Sequence, residues 1–193
     1  MTTLLTTSYR ISDFSNKKLP KKGEKVVYIC GEFDVLHQVH IEALKKAKEL
    51  GDYVYVGVYD DLTVNKRKGK YHPVLNINER CLNLLALRYV DDVIFGAPER
   101  ITEDLLHNLK VDIVVKFVTP EMKEGKRDKE EKNYEVAQKV GKLKEVEISG
   151  ELTNDVLSDR IWENKEQYIK KYIKKITKVD DHIKIDGQEV QHL

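Results

Sequence analysis

The chain has 193 residues, a length that suits one domain with an arm or tail, and 40% of them are hydrophobic, enough for one core. Lys and Arg number 34 against 33 Asp and Glu, so a net charge of +1 gives no global field to draw in nucleic acid or an anionic membrane. Two cysteines exclude a disulfide framework and a Cys-based zinc site, and the lack of a long uncharged apolar run excludes a spanning helix. Both Cys30 and Cys81 lie in apolar stretches and read as buried free thiols. Met1 to Arg10 lacks a basic stretch followed by an apolar one, so it does not read as a secretory leader. A soluble, cytoplasmic protein is the expectation.

Residues 1–24 are polar, carry the Lys17-Lys18-Leu19-Pro20-Lys21-Lys22-Gly23 stretch and read as an arm. The domain proper spans 25–178. Val26 to Cys30 is a short apolar run of the kind that forms a strand buried on both faces. Helical spacing follows from Val39 to Leu50, with Ile41, Leu44, Ala47 and Leu50 as the apolar positions and Gly51 as the stop. Tyr53–Val58 is the second strand, and Asn65 to Lys70 a basic loop. Asn76 starts a helix that runs to Arg88, with Glu79 placed for a capping box. Val93–Phe95 is the third strand, Thr102 caps a helix ending at Leu109, and Asp112–Val115 is the fourth strand. Residues 121–145 hold eight Lys/Arg and seven Asp/Glu and read as a mobile surface excursion. A single long helix is expected from Thr153 to about Lys178, with Ile161, Tyr168, Ile169, Tyr172, Ile173 and Ile176 along one side, then a tail at 179–193. The alternation predicts an α/β fold, a parallel Rossmann-like sheet with helices on both faces. Ligands bind such sheets at the carboxyl ends of the strands.

The chemistry concentrates in Gly31-Glu32-Phe33-Asp34-Val35-Leu36-His37-Gln38-Val39-His40, between the first strand and the first helix. Histidines three apart share one side of the first helical turn. The helix end adds free N–H groups and partial positive charge, together a site for phosphate oxygens. The plain alternative is one core histidine and one exposed one. Lys68 alone is a solvated charge in a basic loop, and Arg88 ends a helix, where a cation suits the dipole regardless. Asp91-Asp92 reads as a turn cap, and His72, His107, His182 and His192 carry no assignment.

The segment resembles the G-x-F-D-x-x-H-x-G-H motif of the cytidylyltransferase family. Lys68-Gly69 ahead of Asn76-Ile77-Asn78-Glu79-Arg80, then Leu87-Arg88-Tyr89-Val90-Asp91-Asp92-Val93, resembles a second block of its choline-phosphate and ethanolamine-phosphate branches. Gly96-Ala97-Pro98, Thr102 to Leu106 and Lys110-Val111-Asp112 continue in register. Ser149 to Asp155 with Arg160-Ile161, and the leader Thr6-Thr7-Ser8 to Phe14-Ser15, are similar to the ethanolamine branch, in particular to the second of its two tandem domains. The resemblance covers roughly residues 5–178 and implies a nucleotidyltransferase fold and transfer from CTP to phosphoethanolamine, in phosphatidylethanolamine synthesis. It implies that His37 and His40 hold the CTP phosphates and stabilise the transition state, and that Lys68 neutralises phosphate charge. Gly31 and Phe33 would bring backbone close to the nucleotide, and Asp34 would fix the loop or approach the substrate amine. Arg88 would be a further phosphate contact, and Thr153 a second phosphate cradle at a helix start. Mg²⁺ would come with CTP, no residue being assigned to hold a metal. A sister domain is the implied partner, dimerisation with a second copy stays open, and nucleic acid is not a partner.

The chain departs from the pattern in several places. Val39 stands where the family has glycine between the histidines. A left-handed backbone there would cost a β-branched residue about 1–2 kcal/mol, whereas ordinary helical geometry leaves only crowding. Lys116-Phe117-Val118-Thr119 replaces His-Gly-Lys-Thr, Gln138-Lys139-Val140 lacks paired arginines ahead of Gly141, and Thr153-Asn154 replaces a double Thr. If the missing groups were donors, each loss removes about 2–4 kcal/mol of transition-state stabilisation. These losses weigh toward a degenerate domain that packs on and supports an active one. The phosphocholine enzyme is the weaker alternative. The segment Tyr168 to Ile176 has lysines opposite its apolar stripe, which suits a helix packed on the domain with a solvated lysine face more than an interfacial one.

Overall fold

The computed structural model describes residues 19–69, 71–118, 127–150 and 152–185, the side chains of 127–130 and 176–185 excepted. Two compact units divide at Leu152 and Thr153. In the first, strands β1 (Val26–Gly31), β2 (Tyr53–Val58), β3 (Asp92–Phe95), β4 (Ile113–Val118) and β5 (Leu143–Glu147) form one parallel sheet in the order β3-β2-β1-β4-β5. The helices are α1 (Gln38–Lys48), α2 (Asp61–Lys68), α3 (Ile77–Leu85), α4 (Glu103–Asn108) and α5 (Arg127–Lys139). The second unit holds α6 (Asn154–Glu163) and α7 (Lys165–Ile185).

The strands alternate sides as a pleat requires. Val26, Tyr28 and Cys30 pack with Tyr53, Tyr55 and Val114, and with Leu106 of α4 and Ala137 of α5. Val27 and Ile29 pack on the other face with Leu44 and Ala47 of α1 and Cys81 and Leu84 of α3. Both faces of β1 and β2 are therefore covered, which is why these strands are apolar almost throughout. The chain steps from β1 through β2 to β3, then returns past β1 to β4 and β5. This reversal puts the switch point between the carboxyl ends of β1 and β4, where α1 begins. Cys30 and Cys81 are buried free thiols, as expected. Burial raises both thiols, Cys81 to about 12, so neither is poised as a thiolate.

Several expectations change. α1 buries Val39, Ala43, Leu44 and Ala47. Ile41 is instead 39% exposed. Gly51 does not end α1, which stops at Lys48 with Glu49 as its cap. A side chain at Gly51 would collide with the carbonyl of Lys25, so close approach of backbone explains that glycine. The basic loop is helical as far as Lys68, because Asp60 caps α2 by accepting from the Thr63 amide at 2.6 Å. α3 ends at Leu85, short of Arg88. β4 runs on through Val118, taking in Lys116 and Phe117.

The charged segment 121–145 is not a surface excursion in its described part. It contains α5 and the start of β5. Asn133 and Ala137 are buried one turn apart, and the charges fall on the other sides. Charge density hid the narrow stripe. In the second unit the expected single helix breaks at Asn164, whose side-chain amide donates to the Arg160 carbonyl at 2.8 Å. α7 then continues to Ile185, into the residues expected as tail. Its Tyr168, Ile169, Tyr172 and Ile173 are exposed. Among the described residues no helix is long and apolar enough to cross a membrane.

Candidate active site

β1 ends at Gly31 and the chain makes a strained turn into α1. Phe33 (φ 49) and Val35 (φ 44) both sit in the left-handed region, a conformation that bulky residues hold only when their surroundings impose it. Two clamps do so. Asp34 is 2% exposed, and its two carboxylate oxygens accept from the Val74 amide at 2.7 Å and the Leu75 amide at 2.9 Å. Arg80, fully buried on α3, donates to the carbonyls of Glu32 at 2.6 Å, Tyr59 at 2.8 Å and Leu75 at 3.0 Å, and to the Asp61 carboxylate at 2.6 Å. The β1–α1 turn, the end of β2 and the loop before α3 are thus tied to one guanidinium, whose fork supplies the several donors the job needs.

The turn delivers two histidines to the start of α1. His37 is the N-cap residue, with extended backbone (φ −137, ψ 179), and His40 sits in the first turn. Their ring centroids are 3.9 Å apart, and Phe33 lies 5.6 Å from the His40 ring. His40 Nδ1 accepts from the His37 amide at 3.4 Å, which leaves the His40 proton on Nε2 when the ring is neutral. It is neutral over the physiological range. Burial, then the neighbouring His37 and Lys68, push His40 down to about 3. His37 is lowered by burial and by Lys68. Two neutral N–H donors therefore face a helix N-terminus, beside a lysine close enough to act on both. This arrangement can receive phosphate oxygens and donate to charge that develops on them.

Lys68 ends α2 and is paired with Glu32, its Nζ 3.0 Å from Oε2. The same carboxylate meets Arg67 Nε at 3.3 Å, and Arg67 reaches Glu99 at 3.0 Å and lies over the Tyr59 ring. Gly31, Phe33, Asp34, His37, His40 and Lys68 are thus brought together. Asp34 holds the loop, and both its oxygens are taken by backbone amides, so it is not open toward a substrate amine. Arg88 is not brought to the site. It follows α3 and precedes β3, at the amino ends of the strands, where it donates to the Tyr89 hydroxyl at 2.7 Å and stacks on that ring. Thr153 belongs to the second unit, where its hydroxyl caps α6 by accepting from the Val156 amide.

Val39 answers the question its position raised. It lies inside α1 without a left-handed backbone, so there is no conformational cost. Its isopropyl group is 8% exposed and packs with Ala43, Ile148, Phe117 and Leu152. One of its methyls lies so close to Gly150 that any side chain there would collide with it. Two departures from the family pattern, Val39 and Phe117, are therefore parts of one apolar cluster beside the helix N-terminus.

Sequence reasoning gave no role to Glu32, Arg67 or Arg80. Arg80 was visible as the last residue of the Asn76–Arg80 block, but its burial was not. Glu32 gains its meaning from Lys68, which only the fold brings near.

Residues 28–143 match the family model described as cytidylyltransferase-like. The chain is 37% identical over 171 residues to an ethanolamine-phosphate cytidylyltransferase of Arabidopsis thaliana, covering 89% of this chain and 40% of that protein. It is 39% identical over 169 residues to the Dictyostelium discoideum protein of the same name, covering 85% and 45%. The chain spans less than half the length of these curated relatives. Among solved structures, the lipopolysaccharide core biosynthesis protein of Thermoplasma volcanium matches with a TM-score of 0.50 and 32% identity, over 66% of this chain and 98% of that one. The five-stranded parallel sheet, the paired histidines at the start of α1 and the match over residues 28–143 agree, and the chain belongs to the cytidylyltransferase-like family.

Proposed function

We propose that this domain binds CTP at the start of α1 and transfers its cytidylyl group to phosphoethanolamine, releasing pyrophosphate. The observation that carries the reading is the close pair His37 and His40, held neutral at a helix N-terminus within reach of the Lys68 charge. An oxygen of the acceptor phosphate forms a bond to the α-phosphorus of CTP, and the bond from that phosphorus to the β-bridging oxygen breaks. Charge then grows on the non-bridging oxygens and on the departing pyrophosphate. Imidazole N–H donors and Lys68 lower the barrier by meeting that charge in a fixed geometry, since such transfers need positioning and neutralisation more than covalent help. The acidic side chains here are engaged, Asp34 by backbone amides and Glu32 by two cations, and no three His, Cys, Asp or Glu converge on a metal position among the described residues. Mg²⁺ would arrive with the triphosphate, as part of the substrate.

The Val39, Phe117 and Ile148 cluster supports a second reading, a domain that no longer turns over and instead supports a sister domain of a longer protein. Calorimetric titration with CTP and Mg²⁺, followed by a turnover assay with phosphoethanolamine, separates the two. The first reading expects micromolar to low-millimolar binding, and product. A folded chain that binds no CTP at millimolar concentration fits the second. Val39→Gly should then recover CTP binding, and failure to do so counts against crowding as the cause.

A further inference from the structure

Resting on the reading above, we propose that Glu32 is the specificity residue for the acceptor: it holds the ammonium of a phosphomonoester that carries a primary amine, and Lys68 leaves it to take the phosphate. A zwitterionic acceptor needs an anionic group in a site otherwise built for phosphate. Only two carboxylates stand in the β1–α1 turn, and Asp34 is spent, both its oxygens bound to the Val74 and Leu75 amides. Glu32 differs. Its side chain is 14% exposed, and its two oxygens meet two cationic side chains, Arg67 and Lys68. Both partners have somewhere else to go. Arg67 also pairs with Glu99 at 3.0 Å. Lys68, 43% exposed, is already near enough to both histidines to act on their protonation.

Binding of the acceptor is then an exchange of ion pairs. The phosphate takes the Lys68 ammonium, and the substrate ammonium replaces it at Glu32. Glu32 keeps two cationic partners throughout, so no carboxylate is left buried and unpaired. An ammonium with N–H donors can make this replacement with charge-assisted hydrogen bonds. A trimethylated one has no N–H to give and cannot approach as closely. Free phosphate has no ammonium at all, and drawing Lys68 away would leave Glu32 with Arg67 alone.

The test compares affinities of the full chain for phosphoethanolamine, phosphocholine and inorganic phosphate, by calorimetry or NMR titration. The wild type should prefer phosphoethanolamine over both others by on the order of tenfold. Glu32→Gln should collapse that preference while phosphate binds as well as before or better, since Lys68 is released. Glu32→Asp, which keeps the charge, should restore part of the preference. A merely structural role would move all three ligands together. An unchanged preference in Glu32→Gln, or no preference in the wild type, overturns the proposal. CTP is titrated in parallel: its failure to bind counts against the catalytic reading, while the ranking of the phosphomonoesters still decides the role of Glu32.

Discussion

Arg80 is the residue whose loss the fold would feel most. It is fully buried, and it satisfies three backbone carbonyls and one carboxylate from three separate segments. Methionine would fill its volume but offers no donor. The Glu32, Tyr59 and Leu75 carbonyls would each lose a charged partner, and Asp61 its counter-ion. Arg80→Met should therefore lower the unfolding free energy by about 3 kcal/mol or more, read from the denaturant midpoint at constant m. Lysine would recover little, because a point charge cannot serve four acceptors spread around a planar fork. The histidines it positions through the Glu32 carbonyl should become less ordered in the same variant, visible as broadened imidazole resonances. Glu32, in the role proposed for it, would place acceptor choice in the β1–α1 turn. Lys116 on β4 is tied to Glu145 on the neighbouring β5 at 3.0 Å and lies near the Tyr134 ring.

Among the elements, α3 shows local chemistry and packing in agreement. Asn76 accepts from the amides of Asn78 at 3.0 Å and Glu79 at 3.1 Å, and Glu79 accepts from the Asn76 amide at 2.9 Å. The capping box read from the sequence is present on all counts. Asn76→Ala should cost about 1–2 kcal/mol, measured by chemical denaturation, because two end N–H groups lose their acceptor. This position was legible because capping acts over three residues. α5 was not legible: its buried positions are few, Asn133 and Ala137, and of these Ala137 joins the core on the sheet. The Asn133 carbonyl accepts from the Ile101 amide at 2.9 Å, a contact between distant segments that no window of sequence displays. The break at Asn164 was equally hidden, since asparagine is only a modest helix breaker until its side chain takes a carbonyl of the preceding turn.

For the molecule as a whole, the half-buried histidine pair couples stability to pH. An ordinary histidine takes up its proton near 6.5, whereas folded His40 resists down to about 3. Between these values the unfolded chain binds more protons than the folded one, so stability falls as pH drops. Below the folded value the penalty is complete, and above about 6.5 it is absent. Urea midpoints taken from pH 7 to pH 4 should decline, and the decline should be shallower in His40→Gln. An unchanged slope in that variant would place the effect in other groups. Phosphate ligands should work the other way: a bound anion favours the charged imidazoles, so CTP binding should take up protons. Calorimetry in buffers of different ionisation enthalpy reads that uptake directly.

The sequence by itself determined the alternation of strands and helices, the place of β1 to β4 along the chain and the helix caps at Asn76, Thr102 and Thr153, and it singled out the segment Gly31 to His40. These rest on periodicity and on interactions across three or four residues, which a linear chain displays. Tertiary structure alone decided which charges act together. Of the two roles open to Asp34, fixing the loop is the one it has, because Val74 and Leu75 come to it from another loop. Arg88 lay at the far end of the sheet because strand direction, not sequence spacing, sets the end at which a connection falls. Val39 was harmless to the backbone and consequential for packing because Phe117, Ile148 and Gly150 close in from β4 and from beyond β5. Ion pairs and packed methyls depend on distances of a few ångströms between residues remote in the chain, and only the folded sheet sets those distances.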